Sequence, residues 1–283
     1  MSKTTAETLV TTQWLQERLG DASVRVVDGS WHMPSLKRDA VAEFRDTHVP
    51  GAVYFDIDRI ADTTSSLPHM VPDEDTFAER VGALGIGDDH LVVVYDTTGM
   101  GSAPRVWWMF RLFGHERVSV LDGGLPKWLA ENRPTESGDA TPQAVPFTAH
   151  RNDGLVRSVE QLLENLRTPR EQVLDARSAG RFNATEPEPR AGLRGGRIPG
   201  SFNRPFVDLY DADSRTMKPA SELQALFDAS GVDRSRPIVT SCGSGVTACN
   251  LALGLHLLGH ADVAVYDGSW TEWGGREDTP VER

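Results

Sequence analysis

The residues best suited to covalent chemistry in this chain lie around Cys242. A short β-branched run, Ile238-Val239-Thr240-Ser241, ends on the cysteine; Gly243, Ser244, Gly245, Val246 and Thr247 follow, and an apolar stretch then reaches Leu258. That order predicts a strand over 237–241, a tight loop and a helix over 245–258. The two glycines let successive backbone N–H groups turn to one side as an anion-holding nest, and the helix start adds its positive end. The thiolate is the reactive form of cysteine, and such a loop favours an anionic sulfur. Cys242 is therefore the candidate nucleophile. Cys249 falls within the apolar helix and reads as a buried structural residue.

A second set of candidates is basic. Residues 177–204 carry six arginines and only Glu186 and Glu188 as acids. Arg181 and Arg190 flank a segment with two prolines, so they can converge from a loop on one ligand. A planar guanidinium matches a carboxylate and an adjacent carbonyl. Charge and spacing alone leave open that these arginines make surface salt bridges, and that Glu186 and Glu188 either orient them or face water.

The loop Cys242-Gly243-Ser244-Gly245-Val246-Thr247-Ala248 closely resembles the active-site loop of the 3-mercaptopyruvate sulfurtransferases, in the rhodanese superfamily. Thiosulfate sulfurtransferases of that superfamily typically carry Arg-Lys where this chain has Gly243-Ser244. The related phosphatases have an arginine six residues after the cysteine, where this chain has Ala248, and that reading fails. The resemblance implies that Cys242 takes sulfur from 3-mercaptopyruvate as a persulfide and passes it to an acceptor such as thioredoxin, a small thiol or cyanide. It implies that Arg181 and Arg190 bind the substrate, with Gly243, Gly245, Val246 and Thr247 as loop contacts. It further implies a proton-relay set of Asp58 and His69 with Ser244. Positive charge is expected to stand further out from Cys242 than in a thiosulfate enzyme. A thiosulfate:cyanide sulfurtransferase and a non-catalytic rhodanese-like module are the alternatives.

The elements that must position these residues occur twice. Leu91–Asp96, Gly114-His115 and Asp122-Gly123 are answered by Ile238–Cys242, Gly259-His260 and Asp267-Gly268. Val24–Asp28 is answered by Gln172–Asp175, and Val49-Pro50-Gly51 by Ile198-Pro199-Gly200. The near-constant offset of about 145 residues marks a duplicated domain rather than a short solenoid repeat. Strands are expected near 24–28, 52–54, 91–95 and 118–121, with helices near 12–19, 74–84, 103–113 and 125–131. The second copy repeats the pattern, with strands near 172–175, 201–203, 237–241 and 263–266. Its helices are expected near 158–166, 220–229, 245–258 and 270–273. Apolar strands alternating with helices predict an α/β fold: two rhodanese-like domains, each a mainly parallel sheet covered on both faces. The expected division is 1–140, a linker at 141–156, and a catalytic domain at 157–283. Asp96 stands where the second copy has its cysteine, so the first domain is expected to be non-catalytic.

Composition bounds the remainder. The chain has 283 residues, enough for two cores, with 39% hydrophobic and 25% charged residues. A net charge of −12 argues against nucleic acid or an anionic membrane as partner. Two cysteines give neither a disulfide framework nor zinc-site spacing, and no stretch has signal-peptide or membrane-span character. The expectation is a cytoplasmic enzyme without metal or cofactor.

Overall fold

A computed structural model describes residues 7–260 and 262–283. The first compact unit comprises residues up to Thr63, Val71–Asn152 and Ala212–Thr216; the second comprises Thr64–Met70, Asp153–Asp211 and Met217–Arg283.

In the first unit the elements run β1 (Leu9–Val10), α1 (Thr12–Gln16), β2 (Val24–Asp28), α2 (Ala40–Asp46), β3 (Val53–Tyr54), α3 (Glu74–Ala83), β4 (Leu91–Tyr95), α4 (Ala103–Leu112), β5 (Val118–Leu121) and α5 (Gly124–Ala130). The second unit continues with β6 (Val156–Arg157), α6 (Val159–Arg167), β7 (Gln172–Asp175), α7 (Ala179–Phe182), β8 (Phe202–Asn203), α8 (Ala220–Ala229), β9 (Ile238–Ser241), α9 (Ala248–Leu257), β10 (Ala264–Tyr266) and α10 (Ser269–Trp273). The first sheet has the order β1-β5-β4-β2-β3 and the second β6-β10-β9-β7-β8, so the topology repeats strand for strand. Every pairing between these strands is parallel.

The central strands are apolar runs because both faces of a parallel sheet are covered. β4, Leu-Val-Val-Val-Tyr, is buried from its second residue on, and all of β9 is buried. α9 is buried from Ala248 to Leu255, as expected for a helix apolar on all sides. Trp270 and Trp273 pack in the core of the second unit, where each indole N–H donates to a backbone carbonyl, of Arg194 and Pro280 respectively. α6 opens with Ser158 and Gln161 in a capping box, which satisfies two otherwise orphaned amides.

Several elements differ from expectation. α9 begins at Ala248 rather than Gly245, because Gly245 has φ +79° and a left-handed residue cannot start the helix. β1 and β6 have two residues each, too few to show a period, and α2 and α7 are short. Residues 141–152 run along the first unit: Val145 N–H donates to Gly82 O, and Phe147 packs against Phe77 and Phe110.

The two copies differ at the end of their first inner strand. Asp175 in β7 meets the Arg177 guanidinium at 2.7 Å. Asp28 in β2 accepts the Ser30 amide at 2.8 Å but is buried with no arginine paired to it among the described residues. Burial pushes its carboxyl up to about 6, bonds from Ser30 and Tyr95 offset part of this, and the charge of Asp96 adds to it. A raised carboxyl favours folding below the unfolded value, and that contribution is lost as pH rises through about 6. Two pK units correspond to roughly 3 kcal/mol. Asparagine mimics the protonated carboxyl. The stability of Asp28→Asn relative to wild type should therefore improve by up to about 3 kcal/mol between pH 4 and pH 8. Denaturant midpoints across that range measure it, and a pH-independent difference would refute it.

Candidate active site

Cys242 directly follows β9 at the carboxyl end of the second sheet, where open α/β sheets place ligands. It is 1% exposed. The turn into α10 grips the chain here: the Trp270 amide donates to Cys242 O at 2.9 Å, and the Thr271 amide to Gly243 O at 2.8 Å. Thr271 Oγ1 also donates to Gly243 O, at 2.6 Å. A trans peptide points its N–H opposite to its carbonyl, so the amides of Gly243 and Ser244 face away from α10. Among the described residues the amides of Gly243, Ser244, Val246, Thr247 and Ala248 donate to no protein acceptor. Gly245 at φ +79° makes the reversal that gathers them, and Cys249 Sγ donates to Gly245 O at 3.3 Å. The result is a cradle of backbone donors beginning at the cysteine.

The first unit shows what such a cradle holds. Asp96 follows β4 as Cys242 follows β9, and it is fully buried. Its Oδ1 accepts from the Thr98 amide at 2.8 Å, and its Oδ2 from the Ser102 and Ala103 amides at 2.9 and 2.8 Å. A carboxylate thus occupies the loop of the first copy and closes it.

The arginine segment lies against the cysteine loop. A Cβ placed on Gly243 would lie 3.1 Å from Arg181 Nη2 and 3.8 Å from Arg190 Nη1. Arg190 Nη2 donates to Ser244 Oγ at 3.3 Å. Two guanidinium groups therefore stand beside Gly243. The segment after α7 returns to the loop that follows β9, and a glycine at 243 leaves room for both groups.

Glu188 sets this arrangement. Its Oε2 accepts from Arg181 Nη2 at 2.6 Å, and its Oε1 from Arg177 Nη1 at 2.7 Å. Arg177 is buried over the Trp270 ring and also bonds Asp175 and Gly196 O. Burial works against its charge, but Asp175 and Glu188 outweigh this and hold the guanidinium above the ordinary arginine range. Asp175, Arg177, Glu188 and Arg181 thus alternate in sign. Glu186 instead accepts from Ser178 Oγ at 2.8 Å. Arg177 and Thr271 were not singled out from sequence, because their roles depend on contacts between distant segments.

Asp58 and His69 fall in different units. Asp58, in the first, accepts from Trp31 Nε1 at 3.0 Å. His69, grouped with the second, is buried and has φ +62°. Among the described residues no cluster of His, Cys, Asp and Glu could hold a metal ion, and no helix is long and apolar enough to cross a membrane.

Comparison with known proteins places the architecture. The rhodanese-like domain family matches residues 11–131 and again 158–276, and the chain belongs to that family. It is 48% identical over 271 residues to the 3-mercaptopyruvate sulfurtransferase of Homo sapiens, covering 94% of this chain and 91% of that one. It is 49% identical over 273 residues to the thiosulfate sulfurtransferase of Mus musculus, with the same coverages. The crystal structure of SseA from Escherichia coli, described among 3-mercaptopyruvate sulfotransferases, matches with a TM-score of 0.86 at 39% identity. That match covers 94% of this chain and 99% of the other. Overall identity thus does not separate the two sulfur donors, and the separation has to come from the site.

Proposed function

We propose that this chain is a 3-mercaptopyruvate sulfurtransferase with Cys242 as its sulfur carrier. The Cys242 thiolate attacks the thiol sulfur of the donor. The carbon–sulfur bond breaks, its electron pair stays on carbon as the enolate of pyruvate, and Cys242 is left as a persulfide. Protonation of the enolate gives pyruvate. An acceptor thiol or cyanide then attacks the outer sulfur and regenerates the Cys242 thiolate. Gly243, Gly245, Val246 and Thr247 belong to the cradle that holds the anionic sulfur, an electrostatic contribution of preorganised donors. Arg181 and Arg190 bind the carboxylate and carbonyl and stabilise the enolate. Ser244, with His69 and Asp58, supplies the proton. Thioredoxin or another small thiol is the acceptor this chemistry suits, and two free, buried cysteines suit a reducing compartment, for which we take the cytoplasm.

The observation that carries the reading is the internal comparison. At the position of Cys242 the first copy holds a buried carboxylate on three loop amides, which supports an anionic sulfur on the corresponding amides of the second.

Donor choice rests on Glu188. Its carboxylate neutralises one of the two guanidinium charges beside Gly243, which suits a monoanionic keto acid better than a compact dianion. Mercaptopyruvate should therefore have the higher kcat/KM. Pyruvate release from mercaptopyruvate, run beside thiocyanate formation from thiosulfate and cyanide, measures this. Equal efficiency on thiosulfate would replace the reading with a thiosulfate:cyanide sulfurtransferase, the activity named for the mouse relative. No turnover of either donor would leave a binding module.

A further inference from the structure

The two copies share an unusual backbone at the start of their last helix. Gly124 opens α5 at φ +54°, and Ser269, the matching residue, opens α10 at φ +48°. Both helices tie back to the loop in the same way: the Leu125 amide donates to Asp96 O and the Trp270 amide to Cys242 O. The left-handed turn is thus a property of the fold, and glycine is its natural occupant. Serine at this position carries a backbone penalty that the first copy avoids.

What the serine adds is a hydroxyl at the cysteine. Ser269 is fully buried, and its Oγ accepts the Cys242 amide at 3.1 Å. The same hydroxyl donates its proton to Tyr266 O at 2.7 Å, so it faces Cys242 as an acceptor. In the first copy no side chain would fit. A Cβ on Gly124 would fall 2.5 Å from Gly99 O and 2.6 Å from Asp96 O. The loop of the second copy is one residue shorter before its helix, and the hydroxyl enters there.

We propose that Ser269 is a positioning residue for sulfur transfer, fixing the Cys242 backbone so that the side chain enters the cradle. This rests on Cys242 being the sulfur carrier. The amide of Cys242 is a loop donor spent on a side chain. With the Cys242 and Gly243 carbonyls also held by α10, the peptide groups around the cysteine have little freedom left. A free Cys242 amide, buried without a partner, would draw the chain toward another acceptor and the sulfur out of register. Arg181 and Arg190 are carried by a different segment, so donor binding should not depend on Ser269.

The test uses Ser269→Gly in the full chain, because Gly124 shows that glycine accepts this turn. Single-turnover persulfide formation on Cys242 is followed by mass spectrometry across mercaptopyruvate concentrations. The maximal rate should fall about 10-fold while the half-saturating concentration and the melting temperature stay near wild type. Ser269→Ala keeps the backbone penalty and also lacks the hydroxyl, and it should show the same fall in rate. A Gly variant as fast as wild type overturns the proposal, whatever the Ala variant does. A rise in half-saturating concentration with unchanged maximal rate also overturns it, because that would place Ser269 in donor binding. A wild-type protein that acquires no persulfide on Cys242 removes the nucleophile assignment and this inference together, whereas a sulfurated wild type with an unaffected Gly variant removes this inference alone.

Discussion

Cys242→Ser should abolish both pyruvate release and the mass gain of one sulfur atom on incubation with donor. A hydroxyl in the same cradle is a far weaker nucleophile toward sulfur and forms no persulfide, so no residual sulfur transfer is expected. Folding should survive, because the change is close to isosteric and the loop amides offer the hydroxyl donors. Cys249→Ser is the matched control. Its sulfur donates to Gly245 O at 3.3 Å, a bond that serine can keep. That variant should retain most of its turnover and should still be sulfurated. Persulfide on Cys249 in the Cys242→Ser protein, detected by peptide mapping, would sink the assignment.

The frame of this molecule is legible in the chain because its strands are consecutive β-branched runs whose burial does not depend on fine packing. β2 and β4, and β7 in the second copy, stand where Val24–Asp28, Leu91–Tyr95 and Gln172–Asp175 suggest. The duplication adds a second reading of each, which is why the sequence alone matches Asp96 to Cys242. Of the two-residue edge strands, β1 and β6 escaped the sequence, whereas β3 and β8 stand within the expected 52–54 and 201–203, each just after the repeated Pro-Gly. The start of α9 was misplaced because small residues favour loop and helix alike, and only the left-handed Gly245 decides between them.

Site chemistry was legible where it is local and obscure where it spans segments. The cysteine, its glycines and the following helix are contiguous, so their order alone marks a strand, a loop and a helix, though not the residue where the helix begins. Arg177 and Arg181 meet on Glu188 from across a proline-containing loop, and nothing in their spacing says that one is buried and the other partly exposed. Ser269 was within reach. Aligning Asp267-Gly-Ser-Trp with Asp122-Gly-Gly-Leu shows a serine in place of glycine, and a serine there is a departure that invites a reason.

Replacing either arginine beside Gly243 should impair the enzyme by different routes. A hydrogen bond to a charged group contributes about 1.5–3 kcal/mol, so each Arg→Ala change should lower kcat/KM for mercaptopyruvate roughly 10- to 150-fold. Arg190 bonds Ser244 Oγ, and its loss removes a donor beside the cysteine loop. Its effect should appear in kinetics, with the melting temperature little changed. Arg181 differs because Glu188 is buried beneath it and keeps only Arg177 once the guanidinium is gone. Arg181→Ala should therefore also destabilise the fold, whereas Arg181→Lys should recover much of the stability and less of the activity, since an ammonium cannot reproduce the two-pronged contact with Glu188. Donors lacking the 2-keto acid should lose less from either change. Kinetics with mercaptopyruvate and thiosulfate, read beside thermal melts of all three variants, separate these effects. Equal losses with both donors and a lowered melting temperature in Arg190→Ala would show that its guanidinium holds the loop together rather than the substrate.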